Sequence, residues 1–413
     1  MKITLADPPY RCLLLEGIHP IAKELLEKQG IIVESFEKAL PQKELLNKIK
    51  DVHFVGIRSK TFLTKEIFDA APQLLAVGCF CIGTNQVDLD HANERGVPVF
   101  NSPFANTRSV AELVIGEIIC LARRVFLRST EVHQGLWNKT NKGCFEVRGK
   151  TVGIIGYGHI GSQVGVLAES LGMQAVFYDL VPKLALGNAK RMNNINDVLA
   201  VSDFVTVHVP ETDSTKGMFG EEEFKRMKEG SYFLNLSRGT VVDLDALSKF
   251  LRDGHLAGAA IDVYPDEPEG AGENFKTPLQ EIPNVILTPH IGGSTVEAQS
   301  AIATEVANAF VGFVKCGSTT GAVNFPELTP PLPTGETHRI TNVHINTPGA
   351  LSLINKIVLE LNCNIGMQYL STKGHIGYLV MDMDMQKDVS LELRKRISEL
   401  EYSIRTLIIL RSN

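Results

Sequence analysis

Apolar residues along the chain come in short, nearly unbroken runs. CLLLEGI (12–18), VHFVGIRS (52–59), LLAVGCF (74–80), TVGIIGYG (151–158), AVFYDL (175–180), FVTVHVP (204–210), YFLNLSRG (232–239), GAAIDVY (258–264) and NVILTPHIGG (284–293) each read as a strand. Between them, apolar residues return every three or four positions, as on one face of a helix. Strands apolar on both faces and separated by helices predict parallel sheets covered on both sides. No repeat of solenoid period runs through the chain, and two nucleotide-fold-like halves stay open.

The pattern changes near residues 326–337, PELTPPLPTGET, where four prolines and few apolar residues predict a semi-rigid linker. Beyond it, 340–346 reads as a strand. A helix opens at Pro348-Gly349, with Leu351, Ile354, Ile357, Val358 and Leu361 on one face. Residues 364–371 and 376–384 read as strands, 391–400 as a helix and 404–410 as a strand. The order βαββαβ predicts a small ferredoxin-like unit.

The chain has 413 residues, room for two to four domains, and a formal net charge of −6. That charge argues against gripping a phosphate backbone, so no nucleic-acid partner is expected. No apolar stretch reaches the ~18 residues of a membrane span. The most apolar helical stretch, 113–122, carries Glu117 in its middle. The start, MKITLADPPYRC, has an acid and two prolines where a signal peptide needs an apolar run, so a cytoplasmic protein is expected. Seven scattered cysteines without a CxxC pair read as buried thiols, with no accompanying acid or His cluster for a metal. Cys79 and Cys81, two apart, share a face if both lie in a strand.

The strongest local signal runs from 151 to 179. A strand enters Gly156-Tyr157-Gly158-His159-Ile160-Gly161, a helix follows with Val164, Leu167, Ala168 and Leu171 on one face, and a second strand ends on Asp179. This is a dinucleotide fingerprint in its full strand–turn–helix–strand context. Gly156 permits the tight turn, Gly158 lets the backbone approach a pyrophosphate, and Gly161 lets helix and strand pack closely. The helix N-terminus offers free N–H groups to the phosphates. Asp179 accepts hydrogen bonds from ribose hydroxyls and repels a 2′-phosphate, which selects NAD over NADP.

Ligands of open α/β sheets sit at the carboxyl ends of strands. Three later strands end there on Arg238, on Asp262 with Glu267 behind it, and on His290 followed by Gly292-Gly293. The trio suits hydride transfer at a 2-hydroxy acid. A histidine exchanges the hydroxyl proton, a carboxylate raises its basicity, and a guanidinium fork holds the substrate carboxylate. His208 also ends a strand and either lines the nucleotide site or serves structure.

With these residues in place, the sequence resembles the D-2-hydroxyacid dehydrogenases. More narrowly, it resembles the D-3-phosphoglycerate dehydrogenases that carry a single C-terminal ACT domain. The segments that carry the resemblance are GIRSKT (56–61), GCFCIGTNQVDLD (78–90), NTRSVAELVIGE (106–117), GYGHIG (156–161), NLSRGTVVD (235–243), AAIDVYPDEP (259–268), LTPHIGGST (287–295) and HINTPG (344–349). The resemblance covers essentially the whole chain. The resemblance implies NAD-dependent oxidation of 3-phospho-D-glycerate to 3-phosphooxypyruvate, the entry to serine biosynthesis, with feedback inhibition by L-serine. The same-fold alternatives are a dehydrogenase of another 2-hydroxy acid (glycerate, D-lactate, 2-hydroxyglutarate) and a non-catalytic NAD-sensing binding protein.

It further implies Arg238, Glu267 and His290 as the catalytic set. His159, Ile160, Asp179, Leu236, Ser237, Asp262 and Gly292 stand at NAD-contacting positions, beside Gly156, Gly158, Gly161, His208, Arg238, His290 and Gly293. Arg58, Ser59, Asn106 and Gln299 match substrate positions. Lys60 stands where Arg is also common, and Lys139 is contributed in this family across a subunit boundary. Arg58 and Lys60 make sense by themselves, since a phosphate-bearing acid calls for cations. His344, Asn346 and Asn364 match serine-binding positions. The implied domains are a discontinuous substrate-binding domain (1–104 and 293–325), an NAD-binding domain (105–292), a linker (326–337) and an ACT domain (338–413), assembled as a homotetramer.

Overall fold

The computed structural model describes residues 2–5, 9–268, 272–333, 337–384 and 386–412. These divide into two compact units, one of residues 1–105 with 299–413 and one of residues 106–298. The expected linker segment 334–336 lies outside the described residues.

In the first unit, five parallel strands lie in the order Ile32–Ser35, Arg11–Leu14, Phe54–Ile57, Ala76–Cys79, Val99–Phe100. Apolar residues fill both faces, as the unbroken runs require. The long helix Val296–Cys316 lays Ala303, Val306, Ala307 and Phe310 into one of these cores. Gly78 is the residue that lets it approach: a Cβ there would lie 2.5 Å from Val306 and 2.7 Å from Phe310. The strand ends at Cys79 and Cys81 lies past it, so the two thiols do not share a strand face.

The tail forms an antiparallel sheet in the same unit. Its strands run Ser403–Ser412, His338–Ile345, Ile376–Asp384, Asn364–Lys373, with helices Ala350–Glu360 and Lys387–Ser398 between them in sequence. This is the ferredoxin-like βαββαβ order. One face packs its helices through Ile340, Leu379, Met381, Ile354 and Ile397. The other joins the N-terminal core through Val343, Tyr378, Val380 and Ile409. A fifth strand, Lys2–Leu5, pairs with Ser403–Ser412 at the sheet edge, a placement the sequence pattern does not announce. The start of the proline-rich segment is anchored: Thr319 Oγ1 donates to the Pro326 carbonyl (2.7 Å) and Thr319 N–H to the Leu328 carbonyl (2.9 Å).

The second unit is a seven-stranded parallel sheet. Its order is Val285–Leu287, Leu256–Ile261, Ser231–Asn235, Phe204–Val207, Thr151–Ile155, Gln174–Tyr178, Lys190–Arg191. The chain order reverses between Thr151–Ile155 and Phe204–Val207, which creates the crevice where such sheets take nucleotides. Helix Thr107–Arg123 packs against helix His159–Ser170 and strand Leu256–Ile261.

Candidate active site

The fingerprint turn is built as its glycines demand. Gly156 has φ +92, and a Cβ there would lie 2.4 Å from the His208 carbonyl oxygen. A Cβ on Gly161 would lie 2.1 Å from the Gly156 carbonyl oxygen, whereas one on Gly158 meets nothing within 4 Å. Two glycines thus serve packing, and the third leaves backbone open at the N-terminus of helix His159–Ser170. Asp179, at the end of the neighbouring strand, accepts from Tyr157 N–H (2.8 Å) and Val181 N–H (3.0 Å), so its carboxylate is held against the turn. The donor set and the open backbone fit a dinucleotide. His208 sits across the crevice, half-buried, its Nε2 3.0 Å from Thr206 Oγ1. Burial pushes it down to about 3, so it stays neutral.

Three adjoining strand ends bring Arg238, Glu267 and His290 together. Buried Asp262 organises them, taking Thr288 Oγ1 (2.6 Å) and Ile291 N–H (2.8 Å) on one oxygen and Gly292 N–H (2.8 Å) on the other. This folds the 288–292 turn and places His290 at φ +54. Its Nδ1 then lies 2.7 Å from Glu267 Oε2, while Glu267 Oε1 accepts from Tyr264 N–H (3.1 Å). Gly239 carries the Arg238 loop against the Tyr264-Pro265 segment that leads to Glu267; a Cβ there would sit 1.9 Å from the Tyr264 carbonyl carbon. Asn235 accepts from Ser237 N–H and Oγ and donates to the Arg238 carbonyl, fixing the Leu236–Arg238 corner.

The electrostatics follow. The hydrogen bond to Glu267 raises His290 above its ordinary value against the opposing pull of burial, and the charges of Glu267 and Asp262 add to it. Burial alone would push Glu267 up, but His290, Tyr264 N–H and Arg238 hold it below the usual carboxylate range. With Nδ1–H donated to Glu267, the neutral ring offers its Nε2 lone pair as a base.

The remaining expected residues fall in separate places. Asn106 stands at the N-cap position of helix Thr107–Arg123 without a side-chain capping bond, packed beside Gly293 in the same unit, and its Oδ1 is buried without a partner. Lys139 lies in a hollow lined by Arg123, Arg128, Trp137 and Phe145; that lining contains none of the trio. Arg58, Ser59 and Lys60 follow strand Phe54–Ile57 in the first unit, and Gln299 is half-buried on helix Val296–Cys316.

In the tail, His344 is buried with Nδ1 3.1 Å from Asn342 Oδ1, beside a small hollow lined by Ala350, Ile354, Tyr402 and Ser403. Burial holds its basicity down against an opposing hydrogen bond to the Asn342 backbone. Asn346 Nδ2 donates to the Gly374 carbonyl (3.1 Å). Asn364 is elsewhere. Through strand Ile376–Asp384, His344 is level with Thr372, and Asn364 with Asp384. From Gly377 to Asp384 at ~3.4 Å per residue, this puts Asn364 about 24 Å along the sheet.

Sequence reasoning missed Glu16 and Gln86. Glu16 carries a positive φ of +67, and only the strand order shows that its carboxylate and the Gln86 amide meet the 58–61 loop.

A family model described as "D-isomer specific 2-hydroxyacid dehydrogenase, NAD binding domain" matches residues 115–292. The D-3-phosphoglycerate dehydrogenase of Dictyostelium discoideum is 53% identical over 97% of this chain and 97% of its own. That of Escherichia coli (strain K12) is 50% identical over 99% of each chain. Among solved structures, the D-lactate dehydrogenase of Aquifex aeolicus complexed with NAD and lactic acid superimposes with a TM-score of 0.62 at 26% identity, covering 73% of this chain and 95% of that one.

Proposed function

The chain belongs to the D-3-phosphoglycerate dehydrogenases, within the D-isomer specific 2-hydroxyacid dehydrogenases, and on that premise we propose that it oxidises 3-phospho-D-glycerate to 3-phosphooxypyruvate with NAD, opening serine biosynthesis. The observation that carries the chemistry is the His290–Glu267 contact of 2.7 Å beside Arg238, at the carboxyl ends of a nucleotide-binding sheet. The Gly156–Gly161 turn and Asp179 would hold NAD, which when bound supplies the acceptor for the C2 hydride. Nε2 of His290 takes the hydroxyl proton. Glu267 keeps the ring in the needed tautomer and stabilises the imidazolium that results. Arg238 orients the substrate carboxylate and polarises the oxygen at C2 as it becomes a carbonyl. Arg58, Ser59 and Lys60 take the phosphate, with Asn106, Gln299 and a partner subunit's lysine, the counterpart of Lys139, completing the site.

The regulatory reading extends this. L-serine is the effector of the tail domain, bound by His344 and Asn346 of one copy and Asn364 of another, since one small amino acid cannot bridge ~24 Å of sheet. A homotetramer supplies such pairs. We place the protein in the cytoplasm, a compartment that suits its seven free thiols.

The test is NADH absorbance with a panel of 2-hydroxy acids, with and without serine. Turnover selective for 3-phosphoglycerate and depressed by serine is the expected result. A preference for D-lactate, glycerate or 2-hydroxyglutarate refutes the substrate, and no turnover of any acid in the presence of bound NAD refutes the enzyme.

A further inference from the structure

The loop that presents Arg58, Ser59 and Lys60 is built around a buried acid. Strands Arg11–Leu14 and Phe54–Ile57 run parallel and side by side, with Leu14 opposite Gly56. Residues 15–17 therefore leave the sheet next to residues 58–61. There the chain takes two consecutive left-handed conformations, Glu16 at φ +67 and Gly17 at φ +63. Glycine adopts this freely; a glutamate does so only where its surroundings over-determine it.

The surroundings are explicit. Glu16 is 8% exposed. Its Oε1 accepts the backbone N–H of Thr61 (2.8 Å) and of Arg58 (3.2 Å), and its Oε2 that of Lys60 (2.9 Å). Its carbonyl accepts from Arg58 Nη1 (3.4 Å). From the other side Gln86 donates Nε2 to the Arg58 carbonyl (2.6 Å). Main-chain donors converging on one point form a concavity suited to an anion. In this loop the anion is part of the protein. The three N–H groups are engaged before any substrate arrives. An incoming phosphate is then read by the Arg58, Ser59 and Lys60 side chains, of which Ser59 and Lys60 are exposed.

We propose that Glu16 is the positioning residue of this loop, an internal counter-anion that folds 58–61 into the one geometry that presents three side chains to a phosphorylated hydroxy acid. The proposal rests on the substrate reading above and deepens it. Affinity for the phosphate comes from preorganisation, because the cost of ordering the loop is met in folding rather than in binding. Glu16 touches neither substrate nor cofactor, so its loss acts on substrate affinity and not on the hydride step.

The experiment compares the full-length protein with its Glu16→Ala and Glu16→Gln variants. In Glu16→Ala, KM for 3-phosphoglycerate rises ~10–100-fold, while kcat stays within ~3-fold and KM for NAD is unmoved. Acetate or formate, small enough for the vacated concavity, lowers that KM again. Glu16→Gln keeps an acceptor for Arg58 and Thr61, loses the one for Lys60, and falls between. An unchanged KM in Glu16→Ala overturns the proposal. So does a joint loss of kcat and both KM values that acetate does not repair. Amide hydrogen exchange without substrate gives an independent reading if Glu16→Ala does not fold. In Glu16→Gln the amides of residues 58–61 exchange faster than in the parent, and equal exchange overturns the proposal. Failure of the parent protein to turn over 3-phosphoglycerate would refute the substrate and leave the exchange result to decide the role of Glu16.

Discussion

Replacing Glu267 with Gln isolates the charge that tunes His290. The amide keeps an oxygen that can accept from Nδ1–H across the 2.7 Å contact, so the ring stays oriented while the negative charge goes. Two unit charges ~4 Å apart interact by about 4 kcal/mol at an effective dielectric of ~20. The His290 side chain is 50% exposed and that of Glu267 35%, so solvent screens the pair. We discount the interaction to about 1–2 kcal/mol. At 1.36 kcal/mol per unit this is a drop of about one unit in the His290 ionisation. Oxidation needs the neutral ring, so its kcat/KM rises with pH through that ionisation. In Glu267→Gln the rise moves to lower pH by about one unit, and the plateau falls ~10-fold because a weaker base meets the proton. Reduction needs the imidazolium, and in the variant its activity is lost at correspondingly lower pH.

The same pair has a stability signature. His290 is raised in the fold, so its contribution is complete below its ordinary 6.5 and is lost as pH climbs through the raised value. Glu267 is lowered, so its contribution is complete above its ordinary 4.5 and is lost as pH falls. The variant should lose most Tm between those two values. Stopped-flow pH profiles in both directions and a Tm series decide the matter. An inflection that stays put, or moves up, refutes the proposed role of Glu267.

Gly161→Ala puts a Cβ 2.1 Å from the Gly156 carbonyl; NAD binding by fluorescence titration should be lost, with ~1–3 kcal/mol of overpacking seen in urea denaturation. Glu117 is 3% exposed with both carboxylate oxygens unpartnered, and burial, aided by the Asp262 charge, pushes it up to about 8. A raised acid leaves stability untouched below its ordinary 4.5 and erodes it as pH rises toward 8. Glu117→Gln should therefore melt with the parent at low pH but exceed it at pH 8 by at least ~1.4 kcal/mol, the worth of one unit. In the tail, fully buried Arg339 grips Asp382 with two hydrogen bonds (2.5 and 2.6 Å) and also donates to the Cys316 and Pro331 carbonyls. Arg339→Ala strands a buried carboxylate and should cost about 3–5 kcal/mol by chemical denaturation, while pairing Arg339→Met with Asp382→Leu recovers much of it.

The legible part of the fold was the part written in local code. The nine apolar runs became strands, and those buried on both faces, such as Phe54–Ile57, Phe204–Val207 and Ser231–Asn235, show the nearly unbroken apolar code that such burial requires. What escaped was short or set by partners far along the chain. Lys190–Arg191 is two residues long, and Lys2–Leu5 is a strand only because Ser403–Ser412 offers it an edge. The tail strand Ile376–Asp384 reads as any apolar run, but its nearly continuous burial has a non-local cause. Helices cover one face, while Tyr378 reaches the Gly317 carbonyl (2.7 Å) on the other.

The same division runs through the site. Gly156, Gly158 and Gly161 announce themselves because steric demand on a turn is a property of neighbours in sequence. Arg238, Glu267 and His290 could be found because parallel strands deliver their ends to one rim whatever the strand order. Glu16 could not. Its carboxylate matters only because Arg11–Leu14 was placed beside Phe54–Ile57, a strand some forty residues further along the chain. In the tail, His344, Asn346 and Asn364 are named together only through the resemblance, and a sequence carries no register: the pairing of Asn364 with Asp384 and of His344 with Gly377 sets Asn364 far from the other two within a single chain. Residues that act through a turn are therefore legible in one sequence. Those tied to one particular neighbouring strand, as Glu16 is, need the sheet order, and a site proposed to form across copies needs the assembly.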